Sequence, residues 1–174
     1  MKVLIVEDDE DILESYKIAL EEEKHQITAT LDGEQCIQAY SNELKKLDSG
    51  DPGSLPFDVV VIDYGIPKKD GIQVAKEILA LKPNQRIIFA SAYIRDIVKE
   101  KLKSLNSPPE LIENLQKPFG LADFIDKIEL KDLIKSLDEF GLEAPKVNEL
   151  NTHYVDCKRL LSQLEKLHKK YLIN

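Results

Sequence analysis

The sequence predicts an α/β protein in which a doubly wound, five-stranded parallel sheet is followed by a helical segment. Up to about residue 120, short apolar runs alternate with stretches that have helical spacing. Three of the apolar runs are almost continuous Val, Ile and Leu, which is typical of strands covered on both faces of a parallel sheet. After residue 120 the pattern is helical throughout.

The elements follow one another in regular alternation. The strands are predicted at 2–6, 26–30, 58–62, 86–90 and 110–116, and the last has the thinnest apolar content. The helices are predicted at 10–23, 33–47, 71–81, 94–105 and 121–140. Such alternation implies right-handed crossovers between parallel strands.

The composition is that of a globular protein, since 43% of the 174 residues are hydrophobic and 32% are charged. No apolar stretch approaches the roughly 18 residues of a membrane helix, and the start of the chain does not resemble a secretory signal. We therefore expect a cytoplasmic protein without a membrane span. The net charge of -8 argues against DNA as a partner. Cys36 and Cys157 are predicted to be reduced thiols.

Polar residues follow four of the predicted strands, at the point where each strand ends. Glu7 and Asp8 follow the first strand, and Asp63 follows the third. Ser91 follows the fourth strand and Lys117 the fifth. Because the carboxyl ends of parallel strands meet at one edge of a sheet, where ligands bind in such folds, we expect these side chains to lie together.

Three carboxylates at one edge repel each other, and a hard divalent cation relieves that repulsion. The sequence therefore predicts a Mg²⁺ site formed by Glu7, Asp8 and Asp63. With the negative charge screened, Asp63 can attack a phosphoryl group and form an acyl phosphate. Lys117 and Ser91 would then bind phosphoryl oxygens.

Each motif alone also has a structural explanation. The acids in "EDDE" could cap the next helix and favour its dipole. Asp63 alone is equally compatible with a structural role. The occurrence of all these residues in order along the strands favours a functional site.

The order "VLIVEDDE", "DVVVIDYGIPKKDG", "IIFASA" and "LQKPF" resembles the receiver (phosphoacceptor) domain of two-component response regulators, the domain type of the chemotaxis regulators. The resemblance covers residues 1 to about 130. It implies a flavodoxin-like receiver fold, Mg²⁺ as cofactor, and a histidine kinase or phosphotransfer protein as partner. Any catalysis would be self-directed, as phosphoryl transfer to the protein's own aspartate and Mg²⁺-dependent hydrolysis from it.

The resemblance assigns roles to the matching residues. Asp63 matches the phosphoacceptor, and Glu7 and Asp8 match the acidic pair of the metal site. Gly65 would add its backbone carbonyl to that site, and it also falls at a position that tunes phosphoryl lifetime. Lys117 matches the lysine that senses the phosphate.

Five further residues match positions of the family's switch. Ser91 matches the switch hydroxyl, which is more often threonine, and Ala92 follows it. Tyr93 falls at the second position that tunes phosphoryl lifetime, and Pro118 follows what resembles the family's cis peptide. Asn114 departs from the pattern, because the family usually has an aromatic residue there. The usual aromatic coupling is therefore not expected.

The C-terminal segment determines the predicted domain organisation and output. We predict a receiver domain at 1–126 and a helical extension at 127–174, which is too short for a typical DNA-binding output domain. Apolar residues between 147 and 171 form a heptad-like seam. The seam contains Leu150, Tyr154, Cys157, Leu161, Leu164, His168 and Tyr171. It could pack within its own chain, form a homodimer through coiled-coil contacts, or bind another protein's helix.

The function that the sequence favours is a phosphorylation-dependent switch whose output is protein–protein contact. Phosphorylation would draw Ser91 and Lys117 toward Asp63 and pass the signal to the extension. The alternative is a degenerate receiver that serves as a constitutive interaction or dimerisation scaffold. A phosphotransfer role for His153 or His168 is not favoured, because neither has the expected neighbouring residues.

Overall fold

A computed structural model describes residues 1–47, 53–92, 108, 111–139 and 161–162, with side chains inside 131–139 described only at Ser136. The elements are β1 (Lys2–Val6), α1 (Glu10–Glu22), β2 (Gln26–Thr30), α2 (Gly33–Lys46), β3 (Val59–Ile62), α3 (Gly71–Leu81), β4 (Ile87–Ser91), β5 (Ile112–Gln116) and α4 (Leu121–Glu139). The strands form one sheet in the order β2-β1-β3-β4-β5, and every pair is parallel. The predicted doubly wound fold is confirmed.

The bounds of β1, β2 and α3 are as predicted, and those of the other described elements differ from the predictions by one or two residues. β3 begins at Val59, and the Asp58 carboxylate just before it accepts a hydrogen bond from the backbone N–H of Lys2, at 2.5 Å. β4 includes Ser91, whose carbonyl oxygen accepts a hydrogen bond from the backbone N–H of Lys117, at 3.0 Å. The predicted helix 94–105 lies outside the described residues.

The central strands are buried on both faces, as their continuous apolar sequences predict. All four residues of β3 and all five of β4 are inaccessible to solvent. One layer of the core joins β1, β3 and β4 to α2 and α3. Cys36 lies in this layer as a free thiol, and burial raises its pKa to about 12. Cys157 lies outside the described residues.

The chain divides into two compact units, Met1–Leu121 and Ala122–Asn174. In the second unit, Phe124 and Ile128 of α4 are fully buried. The predicted boundary between residues 126 and 127 stays a prediction. Among the described residues, no helix has both the length and the apolar character needed to cross a membrane.

Candidate functional site

The register of β1 and β3 places the first two acids of the site side by side. Val6 is the partner of Ile62 in the ladder, so Glu7 and Asp63 are the next residues on neighbouring strands. The backbone N–H of Asp63 donates to the carbonyl of Val6 at 3.0 Å, which continues the ladder past the end of β3. The predicted meeting of strand ends is therefore present in the structure.

Lys117 connects these two acids. Its Nζ lies 2.6 Å from Oε2 of Glu7 and 2.6 Å from Oδ2 of Asp63. The Glu7 side chain is only 3% exposed, whereas those of Asp63 and Lys117 are 16% and 20% exposed. The sequence assigned Lys117 to a phosphoryl oxygen and did not predict its pairing with both carboxylates. This pairing compensates part of the negative charge of the two acids.

The charges of the site shift the pKa values of its buried groups. Burial raises the pKa of Glu7 above its usual value, and the negative charges of Asp63 and Asp8 add to this, while Lys117 opposes it. Burial acts to lower the pKa of Lys117, but its hydrogen bonds to Asp63 and Glu7 outweigh burial and raise it. The lysine therefore stays protonated, whereas burial disfavours the ionised form of Glu7.

The donor set at this edge suits Mg²⁺. Carboxylate oxygens of Glu7, Asp8 and Asp63 all lie within 4.8 Å of one another. Glu7 is buried and Asp8 is exposed, so the cluster is open to solvent on one side. Mg²⁺ prefers hard oxygen ligands and retains several waters, and a solvent-open group of carboxylates satisfies both requirements.

Other acids at the same edge have a structural role instead. Asp9, Asp32 and Asp70 are the N-caps of α1, α2 and α3, and their side chains accept hydrogen bonds from the first-turn backbone N–H groups. Capping therefore explains part of "EDDE", namely Asp9, whereas Glu7 and Asp8 are left for the carboxylate cluster.

The two glycines that follow Asp63 differ in what the backbone requires. Gly65 donates its N–H to Oδ1 of Asp63 at 3.2 Å. A Cβ added at Gly65 would meet nothing within 4 Å, so neither space nor backbone conformation requires glycine there. A Cβ at Gly71 would lie 2.5 Å from the carbonyl oxygen of Asp63. Gly71 therefore allows α3 to begin close behind Asp63, a role that was not predicted from the sequence.

A family model for the response regulator receiver domain matches residues 3–129. The chain belongs to this family. Receiver domains of two-component response regulators act in phosphorylation-dependent signalling and interact with histidine kinases or phosphotransfer proteins. The resemblance to receiver domains that the sequence motifs indicated is confirmed.

Curated relatives match mainly over the receiver region. The response regulator receiver protein CpdR of Brucella abortus is 25% identical over 128 residues, which are 74% of this chain and 93% of CpdR. The transcriptional regulatory protein QseB of Haemophilus influenzae is 27% identical over 129 residues. That match covers 74% of this chain but only 51% of QseB, so the chain resembles about half of the longer regulator.

Solved structures show the same receiver fold. The receiver domain of the Francisella response regulator 1452 is 28% identical, covers 74% of this chain and 93% of its own, and has a TM-score of 0.57. A chain of the CheX–CheY–BeF3–Mg²⁺ complex from Borrelia burgdorferi is 25% identical, with 76% and 89% covered and a TM-score of 0.60.

The switch positions of this receiver domain are only partly described. Ser91 is fully buried and Ala92 is exposed. The Lys117–Pro118 peptide bond is cis, as the resemblance implied. Tyr93 lies outside the described residues.

Asn114 differs from the other polar residues of the receiver sheet. It lies opposite Phe89 in the β4–β5 ladder, and both atoms of its amide group are buried. Within the described part of the chain, neither the amide nitrogen nor the amide oxygen has a hydrogen-bond partner. The departure noted in the sequence is thus also an energetic anomaly, since burying an unpaired amide is unfavourable.

An apolar groove of about 580 Å³ opens beside Lys117. Tyr16 of α1 and Phe119 stack along it, with ring centroids 5.8 Å apart and an angle of 20° between the rings. The sequence analysis did not predict this groove, because its walls come from residues far apart in the chain.

The C-terminal seam stays a prediction. Leu161 is helical in the structure, and the other six seam residues lie outside the described part of the chain.

Proposed function

We propose that Asp63 accepts a phosphoryl group from a histidine kinase or phosphotransfer protein and that the chain works as a phosphorylation-dependent switch. The observation that carries this proposal is the position of Lys117, whose ammonium group lies 2.6 Å from both Asp63 and Glu7 beside a cluster of three carboxylates. A merely structural ion pair needs neither the third carboxylate nor the open side of the cluster.

The metal ligands would be the carboxylates of Glu7, Asp8 and Asp63 together with the backbone carbonyl of Gly65. When bound there, Mg²⁺ neutralises negative charge and allows an anionic phosphoryl group to approach the acceptor. Asp8 is the most exposed of the three carboxylates, so it can be exchanged with little effect on the fold.

Phosphoryl transfer needs little more from the protein than position and charge. A carboxylate oxygen of Asp63 attacks phosphorus while the bond from phosphorus to the donor atom breaks, and the donor keeps that electron pair. Lys117 stays paired with Glu7 and hydrogen-bonds a phosphoryl oxygen. In the self-directed hydrolysis, water attacks phosphorus and the Asp63 carboxylate leaves, which regenerates the acceptor and releases inorganic phosphate.

The switch follows from the added charge, about -1.5 to -2 on the acceptor. Lys117 and Ser91 move together toward this charge, because the backbone N–H of Lys117 donates a hydrogen bond to the backbone carbonyl of Ser91 at 3.0 Å. The Ser91 hydroxyl then bonds a phosphoryl oxygen, and Ala92, Tyr93 and Asn114 adjust on the same face of the sheet. The groove beside Lys117 gives the donor protein access to the site.

The output we propose is a protein–protein contact made by the helical extension at 127–174, with homodimerisation through the 147–171 seam as its form. Support for this comes from the heptad-like pattern of apolar residues in the extension. DNA is not proposed as a partner.

Intact mass spectrometry tests the proposal. The full chain is incubated with Mg²⁺ and a small acyl-phosphate donor, beside Asp63→Asn and a matched control, Asp58→Asn, at the opposite end of β3. We expect the wild type and the control to gain one phosphoryl group and Asp63→Asn to gain none. Molar mass in solution, measured on the same samples, reports whether phosphorylation changes assembly. No adduct on any protein at excess donor contradicts the proposal and favours the constitutive scaffold.

A further inference from the structure

The loop that follows the acceptor contains a strained turn. The N–H of Lys69 donates to the carbonyl of Pro67 at 2.8 Å, which closes a three-residue turn with Lys68 at its centre. Lys68 has a φ of 66°, a backbone region that glycine adopts freely and that side chains with a Cβ avoid. Glycine would fit this position with less strain. A contact made by the lysine side chain must therefore account for lysine at this position.

The side chain of Lys68 reaches a nearly inaccessible carboxylate. Its Nζ lies 2.7 Å from Oδ2 of Asp32, whose side chain is 6% exposed. The same carboxylate caps α2 by accepting a hydrogen bond from the Gln35 N–H at 2.8 Å. The ion pair lowers the pKa of Asp32 and raises that of Lys68, so both groups are charged at neutral pH.

The backbone of the turn also rests on α2. The Gly33 N–H donates to the carbonyl of Pro67 at 3.3 Å. A Cβ at Gly33 would lie 2.5 Å from the carbonyl oxygen of Lys69, so only glycine permits this approach. The turn is therefore fixed to the first residues of α2 by a backbone contact and by the Lys68–Asp32 pair.

The other end of the same loop holds the acceptor site. The Tyr64 carbonyl accepts a hydrogen bond from the Gly71 N–H at 3.1 Å, so the loop from 64 to 70 is a closed unit. Gly65, the proposed carbonyl ligand, lies inside this unit and donates to Asp63. A shift of the turn is thereby transmitted to Gly65 and to Asp63.

We propose that Lys68 is a positioning residue for phosphoryl acceptance. Through its pair with Asp32 it holds the 64–70 loop against the start of α2, so that Gly65 and Asp63 keep the arrangement that binds Mg²⁺. The inference rests on the proposed function, of which it names a further component.

The chain supplies a matched control in the next residue. Lys69 pairs with Glu77 of α3 at 2.6 Å and carries the same charge in the same loop. Lys69→Met therefore removes an equal charge near the site without touching the contact to α2. Lys68→Met keeps the backbone preference of lysine, and Asp32→Asn keeps the N-cap, because asparagine caps helices as well as aspartate does.

The test measures Mg²⁺ affinity by calorimetry, the exchange of the Gly33 and Lys69 amides by NMR, and the phosphorylation rate. For Lys68→Met and Asp32→Asn we expect a Mg²⁺ dissociation constant about two- to fivefold higher, the range that loss of a partly exposed ion pair gives. Both amides should exchange faster, and the phosphorylation rate should fall only at subsaturating Mg²⁺. Lys68→Arg should behave as the wild type, and the double variant should be no worse than either single variant.

Two outcomes overturn the inference. One is an equal effect of Lys68→Met and Lys69→Met, which means that only charge near the site matters. The other is an unchanged Mg²⁺ affinity in Lys68→Met when the wild type binds Mg²⁺ and is phosphorylated. A wild type that binds Mg²⁺ but accepts no phosphoryl group instead contradicts the proposed function, and the Mg²⁺ affinities of the variants still decide the role of Lys68.

Discussion

Buried polar groups at the amino end of the sheet occur in complementary sets, whereas the cluster of Glu7, Asp8 and Asp63 at the carboxyl end does not. At the amino end, the Tyr40 hydroxyl donates to Oε1 of Gln85 at 2.9 Å, and the Gln85 amide donates to the Phe57 carbonyl at 2.9 Å. Nearby, Nε of Arg86 donates to Glu113 at 2.8 Å. In these contacts, each buried polar group is hydrogen-bonded to another group of the protein.

At the carboxyl end, three carboxylates lie together and Lys117 pairs with two of them. Three negative charges against one positive charge leave an excess that the described side chains of the cluster do not neutralise. The polar groups at the amino end pair with one another and stabilise the fold, whereas the cluster at the carboxyl end keeps an excess of negative charge, as a site that is proposed to bind a cation requires.

The largest expected effect on stability comes from removing the cation of the cluster at the carboxyl end. Lys117→Met leaves the buried Glu7 carboxylate beside Asp63 without its cation, which should lower the free energy of unfolding by about 3 kcal/mol. Urea unfolding at neutral pH, in the absence of Mg²⁺, measures this loss. A variant as stable as the wild type contradicts the view that Lys117 compensates the two acids.

The stability of the same variant should also depend on pH, through the protonation of Glu7. Burial and the charges of Asp63 and Asp8 raise the pKa of Glu7, and Lys117 no longer opposes them. The folded variant therefore binds a proton above the usual glutamate pKa of 4.5, where the unfolded chain does not. Its stability should rise relative to the wild type as the pH falls through the raised Glu7 pKa of the folded variant toward 4.5, the value of the unfolded chain. A relative loss over that range is the opposing result.

At the amino end, removing one hydrogen-bond donor should change the free energy of unfolding by about 2 kcal/mol. Tyr40→Phe leaves the buried Oε1 of Gln85 without its donor, which should lower the free energy of unfolding by that amount. Phosphorylation should be unchanged, because the change lies at the opposite end of the sheet. If Tyr40→Phe impaired phosphorylation at a temperature where it is folded, the functional separation of the two ends would be wrong.

Mg²⁺ itself should act only through the carboxyl end. At about ten times its dissociation constant, the ion should raise the free energy of unfolding by about 1.4 kcal/mol. Tyr40→Phe should gain the same amount, whereas Asp8→Asn should gain much less while folding normally. Thermal unfolding with and without Mg²⁺ compares the three proteins. An equal gain for Asp8→Asn removes that residue from the metal site.

The smallest expected effect concerns Asn114, whose buried amide belongs to neither kind of set. Asn114→Val removes two buried polar atoms that have no partner in the described part of the chain, and it adds a β-branched side chain suited to a strand. This should raise stability by about 1 kcal/mol. Asn114→Thr, which keeps one polar atom, should gain less. Chemical unfolding of both variants measures the difference. A loss of stability in Asn114→Val means that the amide is paired in solution.

Much of the fold and the core of the site followed from the sequence because parallel sheets impose simple rules. Continuous apolar runs indicate strands buried on both faces, and β1, β3 and β4 are so buried. Since all strands run one way, residues that follow them share one edge, and this rule places Glu7, Asp63 and Lys117 at the same edge of the sheet.

The remaining features depend on contacts that no local pattern encodes. The Lys68–Asp32 pair joins loops that follow different strands, and "PKKDG" indicates a turn without indicating its partner. Lys117 was expected to bind phosphate, and its pairing with two acids appears only when side-chain positions are known. The departure at Asn114 was visible in the sequence, but the lack of a hydrogen-bond partner for its amide among the described residues was not.

The identity of the phosphorylated residue tests the central claim most directly. Wild-type protein treated with Mg²⁺ and an acyl-phosphate donor is reduced with borohydride, which converts a phosphorylated aspartate to homoserine, and its peptides are then sequenced by mass spectrometry. The account predicts homoserine at position 63 and an intact aspartate at position 8. Homoserine at another acid, or none while the protein is folded and Mg²⁺ is bound, would contradict it.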